Sequence, residues 1–284
     1  MTQVISSLIE GLTLLLGPLF GAGGIYTTSN ITSLERFICF LLTFIFWIAF
    51  EKQFQNVLLF NEPNAKTVKR KILSPVFFKY LSLIVSGLFA FGILHVLRNR
   101  SESDFFHLVL FSILLRMIAS ISDYKGFFIH WLFARFLYNS LLGALSFLVI
   151  TQRMDWQPFI ASSGFALLIL ALHLAELPIS TKPKTFSFFG FDPTGPFIQK
   201  LYALALFGGP MIISALCIFR QLPKNYVFIL IVIPFARTLP ARFEQLLLTS
   251  RNRQDPDVAS TLYNHTQAVV SATLVIIALL SSFS

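Results

Sequence analysis

The sequence predicts an all-α fold, a polytopic transmembrane helical bundle of about nine spans, with residues 1–284 forming a single membrane domain. Three observations lead there. Hydrophobic residues make up 55% of the chain and charged residues only 12%, against roughly a quarter charged in soluble domains. The mean hydropathy is +0.74. Apolar runs of the ~20 residues that a helix needs to cross a hydrocarbon core follow one another along the chain, separated by short polar breaks.

The first run, Val4–Tyr26, contains Glu10, has no Lys or Arg before it and is too long for a signal-peptide core, so it is expected to stay in the mature protein. Further spans are expected at Phe37–Phe60, Val76–Leu97, Phe105–Ile121, Phe127–Ile150, Pro158–Leu177, Leu201–Phe219, Val227–Leu239 and Ala259–Phe283. The eighth is short and interrupted by Pro234 and Pro240. The stretch ARFEQLLLTSRNR after Pro240 either extends it or lies along the interface, and a count of eight is the alternative to nine.

With nine spans the connections alternate sides. Those on one side carry Lys52, Lys66, Lys69, Arg70, Lys71, Lys125, Lys182, Lys184, Lys200, Arg237, Arg242, Arg251 and Arg253; those on the other carry Arg36, Arg98, Arg100, Arg153, Arg220 and Lys224. Cytoplasmic loops hold the excess of cations, so the N-terminus is expected in the cytoplasm and the C-terminus on the opposite side. The net charge of +9 is spread over these short connections, which points to membrane lipids and not to nucleic acid. Cys39 and Cys217 lie inside apolar runs with no metal-like spacing and read as buried thiols.

Ionisable groups inside spans are costly in a bilayer and are therefore site candidates: Glu10, Lys79, Arg116, His130, Arg135, His173, Glu176 and His265. His173 and Glu176 are three residues apart and share one helix face. They read either as a proton relay or half of a ligand site, or as two groups that hydrogen-bond each other. No nucleotide-binding glycine pattern, Gly-x-Ser-x-Gly or His-Glu-x-x-His occurs, and the glycines of FGAGGIY follow a membrane run and not a strand.

Most chemical content collects on the cation-rich side. One connection supplies Asn56, Glu62, Asn64, Lys66 and Arg70, the next Tyr124 and Lys125, and a third Glu176, Lys182 and Lys184. Cations and amides converging on one mouth suit a diphosphate headgroup, and an interior supplied by 33 Phe suits its hydrocarbon tail. The competing reading is a solvated collar of cations that only sets orientation.

This layout resembles the UbiA superfamily of intramembrane prenyltransferases, which have nine helices and Asp-rich motifs at the cytoplasmic ends of helices two and six. The frame Asn-x-x-x-Asp-x-x-x-Asp is met here by Asn56, Phe60 and Asn64, followed by Leu73-Ser74-Pro75. Tyr124-Lys125-Gly126 is similar to the family's Tyr-x-Gly after helix four, and FLYNSLLGALSFLVI to its Gly-containing fifth helix. Lys184-Thr185-Phe186 is similar to the tail of the second motif, with Glu176 and Ser180 upstream, and YNHTQAVVSATLVIIALL resembles the last helix. Both Asp of the first motif are absent.

The resemblance implies transfer or cyclisation of a prenyl group from an isoprenoid diphosphate. It implies Mg²⁺ on Glu62 and Glu176, which with Tyr124 would be the catalytic residues, and substrate contacts from Asn56, Asn64, Lys66, Arg70, Lys125, Lys182 and Lys184. The alternatives are a homologue that kept the fold with altered or lost activity, and a non-enzymatic transporter or assembly factor built on the same bundle.

Overall fold

The structure is a computed structural model that describes residues 103–125, 128–151, 156–176, 195–219, 222, 224–249 and 256–282, with isolated positions at 38, 41, 42, 45 and 84. Every element among these residues is helical, and no strand occurs among them. The expected spans from Val4 to Leu97 lie outside the described residues, so the count of nine is neither met nor contradicted by the helices that follow.

Helix α1 (Ser103–Lys125) stops at Gly126, and α2 (Phe128–Thr151) starts two residues later. Helix α3 (Trp156–Glu176) has Pro158 in its first turn, where a missing N–H costs nothing, and ends just before Leu177-Pro178, since a residue preceding proline avoids helical backbone. Helix α4 (Gly195–Ile218) begins with Gly195-Pro196 and carries Pro210 in its interior. It starts well before the apolar run at Leu201, because Gln199 and Lys200 continue the helix as a polar first stretch. Helix α7 (Pro256–Ser282) has proline at its first position.

Between α4 and α7 the chain is wound unusually. Lys224–Ile231 form a 3-10 helix that runs into α5 (Val232–Ala236), and after Arg237 and Thr238 comes α6 (Leu239–Thr249). Lys224–Ala236 and Leu239–Leu246 meet at a bend of 42°. The expected eighth span, Val227–Leu239, thus falls on a broken helix pair, which is either one bent span or a re-entrant loop. A 3-10 helix rises ~2.0 Å per residue against ~1.5 Å for α, so its first two segments together reach about 24 Å, most of the ~30 Å hydrocarbon thickness.

Four helical stretches among the described residues are long and apolar enough to cross a membrane, at Phe128–Leu148, Pro158–Glu176, Pro196–Ile218 and Val258–Leu280; the bent pair makes a fifth if it is one span, and Phe106–Ser122 is a shorter apolar stretch in α1. The described part is thus an all-helical, membrane-type bundle.

Helix α3 is its centre. From Gly164 to Ala175 every residue but Leu167 is buried, as suits a helix that is apolar on all sides. It packs against α2, α4 and α7, and α1 lies on the outer side of α2. The main core joins Phe165, Leu168 and Leu172 to Tyr202, Leu206, Phe243 and Tyr263. A smaller one joins Val109 and Ile113 of α1 to Tyr138 and Leu142 of α2. Exposed apolar side chains such as Phe133, Leu204, Met211 and Phe235 form the outer wall, as expected of a surface that meets lipid.

Side-chain contacts fix the directions of the helices. Arg116 meets Tyr138, Arg135 meets His173, and Tyr202 meets Thr266. Consequently the C-terminal ends of α1, α3 and α6 and the N-terminal ends of α2, α4 and α7 gather at one end of the bundle, termed the proximal end below. The connections 126–127, 177–194 and 250–255 leave from it.

Candidate functional site

The proximal end holds most of the polar side chains that the helices bury. Arg135, in the second turn of α2, places Nη1 3.5 Å from Nε2 of His173 in the last turn of α3. On the other side of the ring, His173 Nδ1 lies 3.4 Å from Glu176 Oε2. A guanidinium has donors only, so Nε2 must accept from Arg135, which leaves the proton on Nδ1 to donate to the carboxylate. The three groups form a line from guanidinium through imidazole to carboxylate. Both distances are at the outer edge of hydrogen-bond length, so the line is loosely held.

Packing holds the imidazole in place. His173 is buried with 5% of its side chain exposed while Glu176 keeps 25%, so the line runs from the interior toward the mouth. The Trp131 ring meets the His173 ring edge-on at 6.3 Å, and Phe128 packs behind Trp131 at 5.8 Å. Tyr263 of α7, buried, lies within electrostatic reach of the Glu176 carboxylate. One turn deeper, Asn139 donates from Nδ2 to the Arg135 carbonyl at 3.0 Å, and its Oδ1 is buried with no donor among the described residues.

A fully buried cation sits on α1. Arg116, 4% exposed, donates from Nη1 to the Tyr138 hydroxyl at 2.8 Å and lies 5.0 Å from the centre of the same ring. The phenol thus meets the guanidinium with both its oxygen and its π-face, which lowers the cost of a charge in an apolar bundle. Tyr138 thus serves Arg116, whereas Arg135 is met by the His173 imidazole.

Two polar contacts fix the far wall of the proximal end. Thr266 donates its proton to the Leu262 carbonyl at 2.8 Å, so the Tyr202 hydroxyl is the donor in its 2.7 Å contact with Thr266 Oγ1. Phe243 of α6 stacks on Tyr202 at 4.5 Å with 19° between the rings. Nearer the surface, Gln199 donates to Glu244 at 2.8 Å and Arg242 Nη1 lies 3.2 Å from His265 Nδ1.

Of the residues expected to form the site, Glu176 stands at the proximal end in contact with His173, and Tyr124 and Lys125 occupy the last turn of α1 at the same end. Asn56, Glu62, Asn64, Lys66, Arg70, Lys182 and Lys184 lie outside the described residues, as do Glu10 and Lys79. His130 is exposed. The line from Arg135 to Glu176, the tyrosines 138, 202 and 263, and the Arg242–His265 pair were not assembled from sequence. The spacing of His173 and Glu176 gave one half of the first, but nothing in a linear sequence pairs α2 with α3 at a given level.

Mg²⁺ takes about six hard oxygen ligands in a near-octahedral set. The described residues bring one carboxylate, Glu176, together with an imidazole nitrogen and a nearby guanidinium, and no group of three His, Cys, Asp or Glu that could hold a metal occurs among them. By themselves they do not fit the ion, and no catalytic step is assigned to it here.

No protein-family model matches the chain, and neither a curated protein nor a solved structure shows a significant match to it.

Proposed function

We propose that the chain is a UbiA-like membrane protein, a prenyltransferase homologue that receives an isoprenoid diphosphate at the proximal end of its bundle, and that this end faces the cytoplasm. The observation that carries the reading is the Arg135–His173–Glu176 line. A half-buried guanidinium, compensated at long distance through an imidazole, lies at the end of the bundle where α1 closes on Lys125 and where α3 ends, a few residues before Lys182 and Lys184 in sequence. A diphosphate docked among those cations would extend the charge pattern inward, and its tail would lie against the Phe- and Leu-rich helices. Transfer would break the allylic C–O bond and release diphosphate, with cations at this end stabilising the leaving group.

A non-enzymatic lipid-binding reading is favoured by one observation: Asn56, Phe60 and Asn64 stand where the resembled family carries its first Asp-rich motif. The same site would then hold the lipid without turning it over.

Calorimetry with farnesyl diphosphate and full-length protein in nanodiscs, with and without Mg²⁺, tests the proposal. Lys182→Gln with Lys184→Gln should weaken binding by about tenfold or more, since each lost charge-assisted hydrogen bond to phosphate contributes about 1.5–3 kcal/mol. Arg98→Gln with Arg100→Gln, on the opposite side, should leave it unchanged. Equal effects would refute a site at this end. Release of diphosphate in the presence of acceptor lipids separates the enzyme from the binding protein.

A further inference from the structure

We infer that the outer face of the bent span from Lys224 to Thr249 binds an anionic phospholipid of the surrounding bilayer, with the phosphate on Arg242 and His265 and an acyl chain along Phe228, Ile231 and Phe235. This site is on the surface and is independent of the Arg135–His173–Glu176 line.

The winding of the span creates the stripe. In a 3-10 helix residues three apart eclipse, and in an α-helix residues three or four apart share a face. Phe228, Ile231, Phe235, Thr238 and Arg242 follow one another at steps of three, four, three and four. The three apolar members are 65%, 58% and 76% exposed, and Thr238 and Arg242 are exposed as well. From Phe228 to Phe235 the axis advances about 12 Å, close to the ~15 Å depth of one hydrocarbon leaflet. An apolar track one leaflet long therefore ends on a hydroxyl and a cation, which is the profile of a single phospholipid.

The head of the track is organised for phosphate. A guanidinium cannot accept, so in the 3.2 Å contact His265 Nδ1 is the acceptor from Arg242, in the tautomer that carries its proton on Nε2. The remaining guanidinium N–H groups, the Nε2–H and the Thr238 hydroxyl are then donors on an exposed surface, and a phosphodiester offers only acceptors. Glu244, two residues from Arg242, is engaged by Gln199 at 2.8 Å and projects from a different face. Arg242 is held steady because its neighbour Phe243 is fully buried on Tyr202, with Leu239 and Leu246 buried on either side.

Native mass spectrometry of the full-length protein released from phosphatidylcholine nanodiscs doped with phosphatidylglycerol tests the site. The expected result is a retained phosphatidylglycerol adduct. Arg242→Gln should lower its population about tenfold. Arg242→Lys, which keeps the charge and loses the fork, should cause a smaller loss. Lys224→Gln, an exposed cation at the other end of the same span, should cause none. Equal loss in Arg242→Gln and Lys224→Gln, or phosphatidylcholine adducts as abundant as phosphatidylglycerol adducts, would overturn the inference and leave a diffuse belt of charge.

Discussion

Gly164 and Gly209 bring the backbones of α3 and α4 into direct contact. A β-carbon on Gly164 would stand 2.9 Å from the Gly209 carbonyl oxygen, and one on Gly209 would collide with the Gly164 carbonyl oxygen and lie 2.8 Å from Leu168 Cγ. Small residues at helix crossings are how membrane helices gain close packing without a hydrophobic drive to associate. Gly209→Ala is expected to destabilise the bundle by about 1–3 kcal/mol, because a backbone atom cannot move aside. Gly208→Ala meets only the end of the Leu167 side chain at 3.2 Å and removes a glycine from a helix, so it should be neutral or stabilising. Unfolding in mixed micelles followed by circular dichroism gives the order of the two.

Tyr202→Phe should cost about 1 kcal/mol, because it deletes a single buried hydrogen bond to Thr266 and keeps the stacked ring against Phe243. Tyr202→Ala removes the ring as well and should cost about 3–5 kcal/mol. If the two variants unfold together, α6 is not held by this stack.

Arg116 and Tyr138 should be energetically coupled by about 2 kcal/mol, since the guanidinium uses both the hydroxyl and the ring face of the tyrosine. A double-mutant cycle with Arg116→Leu and Tyr138→Leu measures the coupling. Additive losses would mean that the contact contributes nothing net.

Ser162 and Ser214 are buried, and their hydroxyls meet no partner among the described residues. Ser162→Ala and Ser214→Ala should therefore be neutral or stabilising by up to about 1 kcal/mol. Ser146→Ala, which loses a 2.9 Å bond to the Gly143 carbonyl, should not be stabilising. The same unfolding measurement separates the cases.

From residue 103 onward the helices were legible because lipid leaves a strong mark on composition: the described helices end at Lys125 and Glu176, just before Gly126 and Leu177-Pro178 in sequence, and the last one begins at Pro256. The winding of Lys224–Ile231 was not legible, since α and 3-10 helices use the same apolar residues and differ in hydrogen-bond partner. The site was legible only within one helix. His173 and Glu176 share a face by spacing, but the partner of His173 is 38 residues away, and Tyr202 and Thr266 are 64 apart. Such pairs depend on how far one helix slides along another, which hydropathy does not record. The first half of the expected mouth, Asn56 to Arg70, lies outside the described residues.

The 3-10 segment makes this span an adjustable strut. Eight residues rewound from 3-10 to α shorten by about 4 Å, and the turn at Arg237 and Thr238 would be drawn that far toward the bilayer centre. Proline at 234 and 240 keeps the neighbouring turns from absorbing the change smoothly. If the segment spans the bilayer, a thick membrane would favour the stretched winding and a thin one the contracted form.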